Sequence, residues 1–170
     1  AMKHFNIVLV EPEIPQNTGN ISRTCACTGA SLHIVKPIMF SLDEKQVRRA
    51  GLDYWDKLDL HIHESLADFL QYASGKPIRL ASTKGPCNHT QADYPDGCFI
   101  LFGKETAGLP ETLLAQHYDD CIRIPMKQEL RSLNLSNAVA VVLYEALRQD
   151  DFEGLEQQGH LTTLSPKERS

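Results

Sequence analysis

Leu101–Leu147 reads LFGKETAGLP at residues 101–110, IRIPM at 122–126 and RSLNLSNAVAVVLYEAL at 131–147. The pattern predicts a buried strand, Cys98–Phe102, that runs into a glycine-bearing turn. A second short strand, Cys121–Ile124, runs into a polar loop and then into an almost wholly apolar helix. Because α/β proteins build small-molecule pockets at the carboxyl ends of their strands, two such junctions indicate a cofactor pocket.

Outside this stretch, strand-like and helix-like segments alternate. Apolar runs of strand length favour parallel strands covered on both faces, and they lie at Phe5–Val10, Leu32–Val35, Ile78–Ala81 and Cys98–Phe102. Helices are predicted at Gln16–Thr28, Asp43–Ala50, Ser65–Ala73, Pro110–His117 and Ser136–Gln149. The alternation predicts an α/β fold, a mostly parallel sheet with helices on both faces. From the residues alone we expect an open, doubly wound sheet.

Length and composition indicate one domain. The 170 residues are 42% hydrophobic, enough for one sizeable core. We assign the domain to residues 1–150 and expect 151–170, where apolar density falls, to be a loosely ordered tail.

Charge and cysteine content restrict the partners and the compartment. The net charge of −5 repels nucleic acid, so an RNA partner would require a local basic patch. Five cysteines without a Cys-x-x-Cys pair fit a reduced cytoplasmic protein. The longest apolar run, Ala138–Tyr144, is too short to span a membrane, and we expect neither a leader segment nor a membrane partner.

Several nucleotide-binding and hydrolase motifs are absent. The loop after the first strand reads EPEIPQNTGN rather than G-x-G-x-x-G, which disfavours a dinucleotide enzyme. The sequence has no G-x-x-x-x-G-K-[ST] and no G-x-S-x-G, which disfavours phosphoryl transfer and serine hydrolysis.

Three ordered motifs resemble the signatures of the SPOUT RNA methyltransferases. They are Asn17-Thr-Gly-Asn20-x-x-Arg23, Phe102-Gly103-x-Glu105-x-x-Gly108-Leu-Pro110, and Ile122-x-Ile-Pro125 followed by Leu133-Asn134-Leu-Ser136-Asn137-Ala138. The resemblance covers Phe5–Gln149. The small size and the segments 11–17 and 48–54 are most similar to members that methylate the ribose 2′-oxygen of the wobble nucleotide in tRNA.

The resemblance implies more than the residues alone. It implies S-adenosyl-L-methionine as the methyl donor, a homodimer, the tRNA anticodon stem-loop as partner, and no metal. It also implies a deep trefoil knot over about Ile78–Leu147, in place of the open sheet. The nucleotide modified would be cytidine or a modified uridine at position 34.

The expected cofactor residues come from both lines of reasoning. Gly103 and Gly108 would permit close backbone approach or positive φ around a ligand. By resemblance the cofactor-binding set is Ala81, Ser82, Thr83, Gly103, Glu105, Gly108, Ile124, Ser132 and Leu133. Glu105 is expected to fix the loop through backbone amides rather than to act as a base.

The expected catalytic residues are Arg23, Asn17, Asn20, Ser136 and Asn134. Because a guanidinium with a pKa above about 12 is a poor general base, Arg23 is expected to orient the hydroxyl and stabilise negative charge. The spacing predicts Asn17, Asn20 and Arg23 on one helix face, although Asn17 could instead cap the helix. Ser136 is the expected N-cap of the last helix.

A dimer would supply the basic footprint that the net charge lacks. It could gather Arg23, Arg48, Arg49, Lys104, Lys127 and Arg131 around one groove, with Arg23 completing the partner's site. Tyr54 and Trp55 are either base-stacking residues or core. His61 and His63 share a strand face, but a third metal ligand is not apparent.

Two other functions stay open. One is 2′-O-methylation of a different tRNA or ribosomal RNA ribose. The other is a nonenzymatic RNA-binding dimer that retains the fold.

Overall fold

The computed structural model describes residues 2–43, 45–130 and 132–167. It contains a seven-stranded sheet in which every paired neighbour is parallel, as the apolar runs predict. The strands are β1 Asn6–Val10, β2 Ser31–Val35, β3 Leu60–His63, β4 Ile78–Ala81, β5 Cys87–Asn88, β6 Phe99–Phe102 and β7 Cys121–Arg123. The helices are α1 Pro15–Thr28, α2 Lys45–Gly51, α3 Leu66–Tyr72, α4 Glu111–Gln116 and α5 Leu135–Gln149, with 3-10 helices at Leu52–Lys57 and Tyr118–Asp120.

The sheet order is β3-β2-β1-β6-β4-β7-β5. Every residue of the three adjacent strands β2, β1 and β6 is buried, which explains why their sequences are mostly apolar, with Asn6, Ser31 and His33 as buried polar exceptions. The last strand, β7, is inserted between β4 and β5, both of which precede it in the chain. The carboxyl ends of β4, β6 and β7 therefore lie side by side.

The core lies in two layers, one on each face of the sheet. Ile7 and Leu9 face α1 and α5, whereas Val8 and Val10 face α3 and α4. Successive side chains of a strand point to opposite faces, so one strand supplies both layers. The prediction of helices on both faces is confirmed.

Helix ends agree with the sequence signals to within two residues, and to within one residue for every helix except α2. Gly29 follows α1 with a φ of 78°, the left-handed C-cap expected there. The Ser65 side chain accepts a hydrogen bond from the Asp68 amide and caps α3, so the predicted first residue is the cap. Pro110 is likewise the cap residue of α4, not its first helical residue.

The segment after α5 turns back onto the chain start. The Lys3 amide donates to Asp150 Oδ2 at 2.9 Å, and Phe152 and Leu155 pack against the core. From Glu156 to Lys167 the side chains are exposed. No helix among the described residues is long and apolar enough to cross a membrane.

A histidine cluster lies at the β3 edge of the sheet. The rings of His33 and His61 stack with their centroids 4.5 Å apart, and His33 Nδ1 lies 2.9 Å from His63 Nε2. Burial lowers the pKa of His33 to about 3, with the two neighbouring histidines adding to the effect. Phe69 and Tyr72 enclose the cluster, and no metal-binding group of three or more His, Cys, Asp or Glu occurs among the described residues.

The cysteines differ sharply in exposure. Cys25, Cys98 and Cys121 are buried, and burial raises the pKa of each thiol, in Cys98 to about 11. Cys27 lies on the outer side of α1 and is exposed. The two helical cysteines, Cys25 and Cys27, therefore point apart.

Candidate functional site

A pocket of about 520 Å³ opens at the carboxyl ends of β4, β6 and β7. Its wall consists of the loops that follow these strands, together with the starts of α1 and α5. The volume lies within the range typical of small-molecule and cofactor sites.

All nine predicted cofactor residues line this pocket. Of the predicted catalytic residues, Asn17 and Asn134 also line it, whereas Arg23, Asn20 and Ser136 do not. The lining residues that belong to neither the predicted cofactor set nor the predicted catalytic set are Ile14, Lys84, Phe102, Lys104, Thr106, Ala107, Leu109, Leu114, Met126, Leu135 and Ala138. Most of these residues are next to predicted residues in the sequence, so their position beside the motifs could have identified them.

The loop after β6 depends on its two glycines. A Cβ on Gly103 would lie 2.0 Å from the Gly108 carbonyl carbon and 2.2 Å from the Leu109 nitrogen. The Gly108 amide donates to the Lys104 carbonyl at 2.9 Å, and Gly108 has a φ of 70°. Close approach at one glycine and positive φ at the other are the two properties predicted for this pair.

The Glu105 carboxylate holds the start of α1 against this loop. It accepts hydrogen bonds from the amides of Glu13 and Ile14 at 2.8 and 3.0 Å, and from Asn17 Nδ2 at 3.0 Å. Glu105 therefore makes contacts with backbone amides of the kind that the prediction of a loop-fixing residue requires. A carboxylate whose oxygens accept three N–H groups is poorly placed to serve as a base.

A reciprocal contact closes the same junction. Glu13 Oε1 accepts from the amide and the hydroxyl of Thr106 at 3.0 and 2.7 Å. These hydrogen bonds lower the pKa of Glu13. Each of the two loops, before α1 and after β6, therefore supplies a glutamate that accepts hydrogen bonds from the other loop.

Asn17 continues the network to the third motif. It is only 5% exposed, and its Oδ1 accepts from Asn134 Nδ2 at 3.2 Å. Asn134 Oδ1 accepts in turn from the amide and the hydroxyl of Ser136, at 2.9 and 2.6 Å. One chain of hydrogen bonds thus joins Glu105, Asn17, Asn134 and Ser136, one or two residues from each motif.

The structure corrects two cap assignments. Asn134, not Ser136, is the N-cap of α5, because its side chain accepts from the Ser136 and Asn137 amides. Asn17 does not cap α1, which begins at Pro15 after the cap residue Ile14. The alternative that Asn17 is merely a helix cap is therefore wrong.

The predicted common face of Asn17, Asn20 and Arg23 is also wrong. Asn17 and Arg23 are six residues apart, which is about 1.7 helical turns, so the two side chains leave the helix in different directions. Asn17 is buried toward the pocket, whereas Asn20 and Arg23 share an exposed side.

Arg23 contacts an aromatic ring on the adjacent 3-10 helix. Its guanidinium carbon lies 4.9 Å from the centroid of Tyr54, and its Nη2 donates to the Tyr54 hydroxyl at 3.4 Å. The guanidinium carbon of Arg48 lies 4.4 Å from the Trp55 centroid. Tyr54 and Trp55 are both half-buried, and each ring contacts an arginine. They are therefore neither fully exposed for base stacking nor fully buried in the core, the two alternatives predicted for them.

The other predicted basic residues do not all line the pocket. Lys104 lines the pocket and forms an ion pair with Glu11 at 3.4 Å. Lys127 and Arg49 are exposed, and Arg131 lies outside the described residues. A further lysine, Lys84, pairs with Glu111 at 2.6 Å beside the pocket.

The pocket has the chemistry that a nucleoside with a polar chain requires. Its apolar lining, which suits a purine ring, includes Leu109, Leu114, Ile124, Leu133 and Leu135. Its polar lining includes Ser82, Thr83, Ser132 and Asn134. The space that a Cβ of Gly103 would fill is occupied by the backbone of Gly108 and Leu109, so the loop after β6 is folded tightly on itself beside the pocket.

Comparisons with known proteins agree with this site. The SpoU rRNA Methylase family matches residues 4–144. The tRNA (cytidine(34)-2′-O)-methyltransferase of Escherichia coli K12 is 49% identical over 88% of this chain and 96% of its own. The enzyme of that name from Methylovorus glucosotrophus is 48% identical over 88% of this chain and 98% of its own.

Solved structures give the same result. A structure that addresses the 2-OH methylation of C/U34 on tRNA has a TM-score of 0.84 and 42% identity, over 89% of this chain and 99% of its own. The SpoU methyltransferase AviRb from Streptomyces viridochromogenes, in complex with the cofactor AdoMet, has a TM-score of 0.76 and 27% identity, over 89% of this chain and 63% of its own. The chain belongs to the SpoU methylase family of RNA methyltransferases.

Proposed function

We propose that this protein methylates the ribose 2′-hydroxyl of the wobble nucleotide of tRNA, with S-adenosyl-L-methionine as the methyl donor. The observation that carries the proposal is the pocket in which three separate sequence motifs are joined by one hydrogen-bond chain. The target, cytidine or a modified uridine at position 34, is supported by relatives named for cytidine 34 at 48–49% identity.

The cofactor would lie among the three loops of the pocket. The apolar side chains Ile124 and Leu133 would pack against the adenine, and the backbone around Gly103 and Gly108 would follow the ligand closely. Ala81, Ser82, Thr83 and Ser132 would form the remaining wall, and Glu105 would keep the loop in shape. When bound, S-adenosylmethionine supplies an electrophilic methyl group on a sulfonium.

Arg23 would orient the ribose hydroxyl and stabilise the negative charge that develops on its oxygen. A guanidinium stays protonated at neutral pH, so it serves as a fixed positive charge and a donor rather than as a base. Asn20, exposed one turn earlier on the same side of α1, is available to the neighbouring ribose or phosphate. Asn17, Asn134 and Ser136 would act by holding the pocket, since their polar atoms bond to one another.

A homodimer would complete the site. Arg23 does not line the pocket of its own chain, so a second chain would have to bring its Arg23 to the ribose. The exposed side of α5 carries Val141 and Tyr144, which are 39% and 46% exposed and suited to burial between two copies. A twofold arrangement would also double the positive charge near the RNA, on a chain of net charge −5.

We also propose that the C-terminal half forms the deep trefoil knot. The insertion of β7 between the earlier strands β4 and β5 supports threading, and so does the likeness to AviRb. The RNA bound would be the anticodon stem-loop, whose unstacked bases suit readout by edges and stacking. Residues 1–150 would be the methyltransferase domain, working in the cytoplasm.

The decisive experiment is methylation of two tRNA pools, one unmodified and one fully modified, and of ribosomal RNA, followed by nucleoside mass spectrometry. A 2′-O-methylated cytidine or uridine mapped to position 34 is expected, and Arg23→Ala should abolish it while calorimetry still detects S-adenosylmethionine binding. A methyl group on a base would contradict the proposal. Product only with ribosomal RNA would favour the rRNA alternative, and absence of cofactor binding by the wild type would favour a nonenzymatic RNA-binding dimer.

A further inference from the structure

We propose that Tyr54 is a positioning residue that presets the guanidinium of Arg23 for the reaction. The inference rests on the proposed function, since it concerns the arginine that would act on the ribose hydroxyl. Tyr54 belongs to none of the three motifs and does not line the pocket. Tyr54 would therefore affect the reaction only by positioning Arg23.

The contact combines two kinds of interaction. The guanidinium carbon of Arg23 lies 4.9 Å from the ring centroid of Tyr54, within the range of a cation–π contact. Arg23 Nη2 also donates to the Tyr54 hydroxyl at 3.4 Å, a long and therefore weak hydrogen bond. The ring face should consequently contribute more to the position of Arg23 than the hydroxyl does.

An aromatic partner has a consequence that a carboxylate would not have. An exposed arginine samples many rotamers, so a fixed partner is required to restrict it. A carboxylate would fix the side chain but offset its charge, whereas a neutral ring leaves the full positive charge for the substrate. Among the described residues, Arg23 has no acidic partner within ion-pair distance.

Tyr54 is itself held in place. The 3-10 helix Leu52–Lys57 packs against α1, and the next residue, Trp55, receives the guanidinium of Arg48 at 4.4 Å. Arg48 in turn forms an ion pair with Asp43 at 2.9 Å. The ring beneath Arg23 therefore lies on a segment anchored from two sides.

The kinetic test uses three substitutions at one position. Tyr54→Leu removes the ring and should lower kcat by about tenfold or more, because small displacements of a reacting group carry costs of this size. Tyr54→Phe keeps the ring face and should stay within about threefold of wild type, and Tyr54→Trp should restore most of the rate lost in Tyr54→Leu. The KM for S-adenosylmethionine should be unchanged in all three.

Two controls separate positioning from general damage. Tyr72→Leu removes another partly exposed tyrosine that packs on the histidine cluster, and it should leave kcat unchanged. In an Arg23→Gln background, which has no cation to bind the ring, Tyr54→Leu should cause no further loss of the residual rate, since its effect would pass through the guanidinium. Additive losses, or a kcat of Tyr54→Leu equal to wild type, would overturn the proposal.

A spectroscopic measurement is independent of activity. The Hε resonance of Arg23, assigned by its loss in Arg23→Lys, should show an upfield ring-current shift in the wild type that disappears in Tyr54→Leu and persists in Tyr54→Phe. Absence of this shift would overturn the contact itself. A wild type that shows the shift but does not methylate tRNA would instead overturn the proposed function, and with it the role of the contact in catalysis.

Discussion

Asn134 Nδ2 donates to Asn17 Oδ1 at 3.2 Å, across 117 residues of chain. The other side of the Asn17 amide donates to Glu105, so a single buried side chain bridges the first motif to both of the others. An amide is required here, because only an amide offers a donor to the carboxylate and an acceptor to Asn134 at once. The shape of the pocket therefore depends on the side-chain amide of Asn17, which a single substitution can replace.

Asn17→Asp should weaken both folding and cofactor binding. The new carboxylate would lie against that of Glu105, and its buried charge would cost about 2 kcal/mol of unfolding free energy. Lowering the pH should partly restore stability, since one carboxyl of a close pair can take up a proton. Thermal unfolding and calorimetry measure both effects, with the exposed Asn137→Asp as control. Equal stability of the two variants would contradict the bridging role.

Gly103→Ala and Gly108→Ala should differ strongly. A Cβ at Gly103 would collide with backbone atoms 2.0 and 2.2 Å away, so this variant should lose S-adenosylmethionine binding or fail to fold. At Gly108 nothing lies within 4 Å, and the φ of 70° should cost only about 1–2 kcal/mol. Chemical denaturation and calorimetry compare the two. A Gly103→Ala protein that binds the cofactor normally would show that the loop can open without loss.

Glu105→Gln should reduce cofactor affinity without unfolding the protein. One oxygen of the side chain is replaced by an NH₂ group that faces backbone amides, so at least one of three hydrogen bonds is lost. We expect affinity to fall by about tenfold, since hydrogen bonds to charged groups contribute about 1.5–3 kcal/mol each. The control is Glu64→Gln, which removes an exposed carboxylate that pairs with Lys36 at the surface. Matching affinities in the two variants would exclude a role for the Glu105 charge.

Stability should fall as the pH drops below about 6.5, and His33 should be one cause. The pKa of His33 is about 3 in the folded protein against an ordinary 6.5, so between these values the unfolded chain takes up a proton that the folded chain does not. The stabilising effect is complete above pH 6.5 and declines by about 1.4 kcal/mol per pH unit for each such proton as the pH falls toward 3. His63, whose pKa burial also lowers, acts in the same direction.

His33→Gln should therefore flatten the pH dependence while lowering the stability at pH 7, because the hydrogen bonds to His63 and Asn6 are disturbed. Urea unfolding at several pH values between 7 and 5 measures the slope. Parallel curves for wild type and variant would rule out His33 as the titrating group.

Co-expressed Arg23→Ala and Asn134→Ala chains should regain activity that neither has alone. In a random mixture of two chains, half of the dimers are mixed and each has one complete site, so about a quarter of wild-type activity is expected. Tyr144→Asp should abolish both the dimer and the rescue, as measured by light scattering and methylation assay. Lack of rescue in a proven mixed dimer would mean that Arg23 serves its own chain.

The sequence predicted the layers of the fold well because strands such as Asn6–Val10 are apolar on both sides. It missed β5, Cys87–Asn88, since two residues carry no periodicity. The order of the strands could not be predicted, because the pairing of β7 with β4 and β5 depends on contacts between distant segments.

The sequence predicted those parts of the pocket wall that consist of backbone and small residues from the motifs. The cap of α5 was misassigned because Asn134 and Ser136 are both good cap residues, and the choice depends on which one meets Asn17. The partition of α1 into a buried Asn17 and an exposed Arg23 depends on where the helix meets the loop after β6. Local spacing alone does not contain that information.

The unequal exposure of the cysteines offers a probe of the proposed assembly. Cys27 is exposed one helical turn beyond Arg23, whereas Cys25, Cys98 and Cys121 are buried and Cys87 is only partly exposed. A maleimide fluorophore should therefore attach first at Cys27, without substitution of the other thiols. Because the fluorophore would lie one helical turn from Arg23, its emission should change when either a second chain or an RNA binds at Arg23.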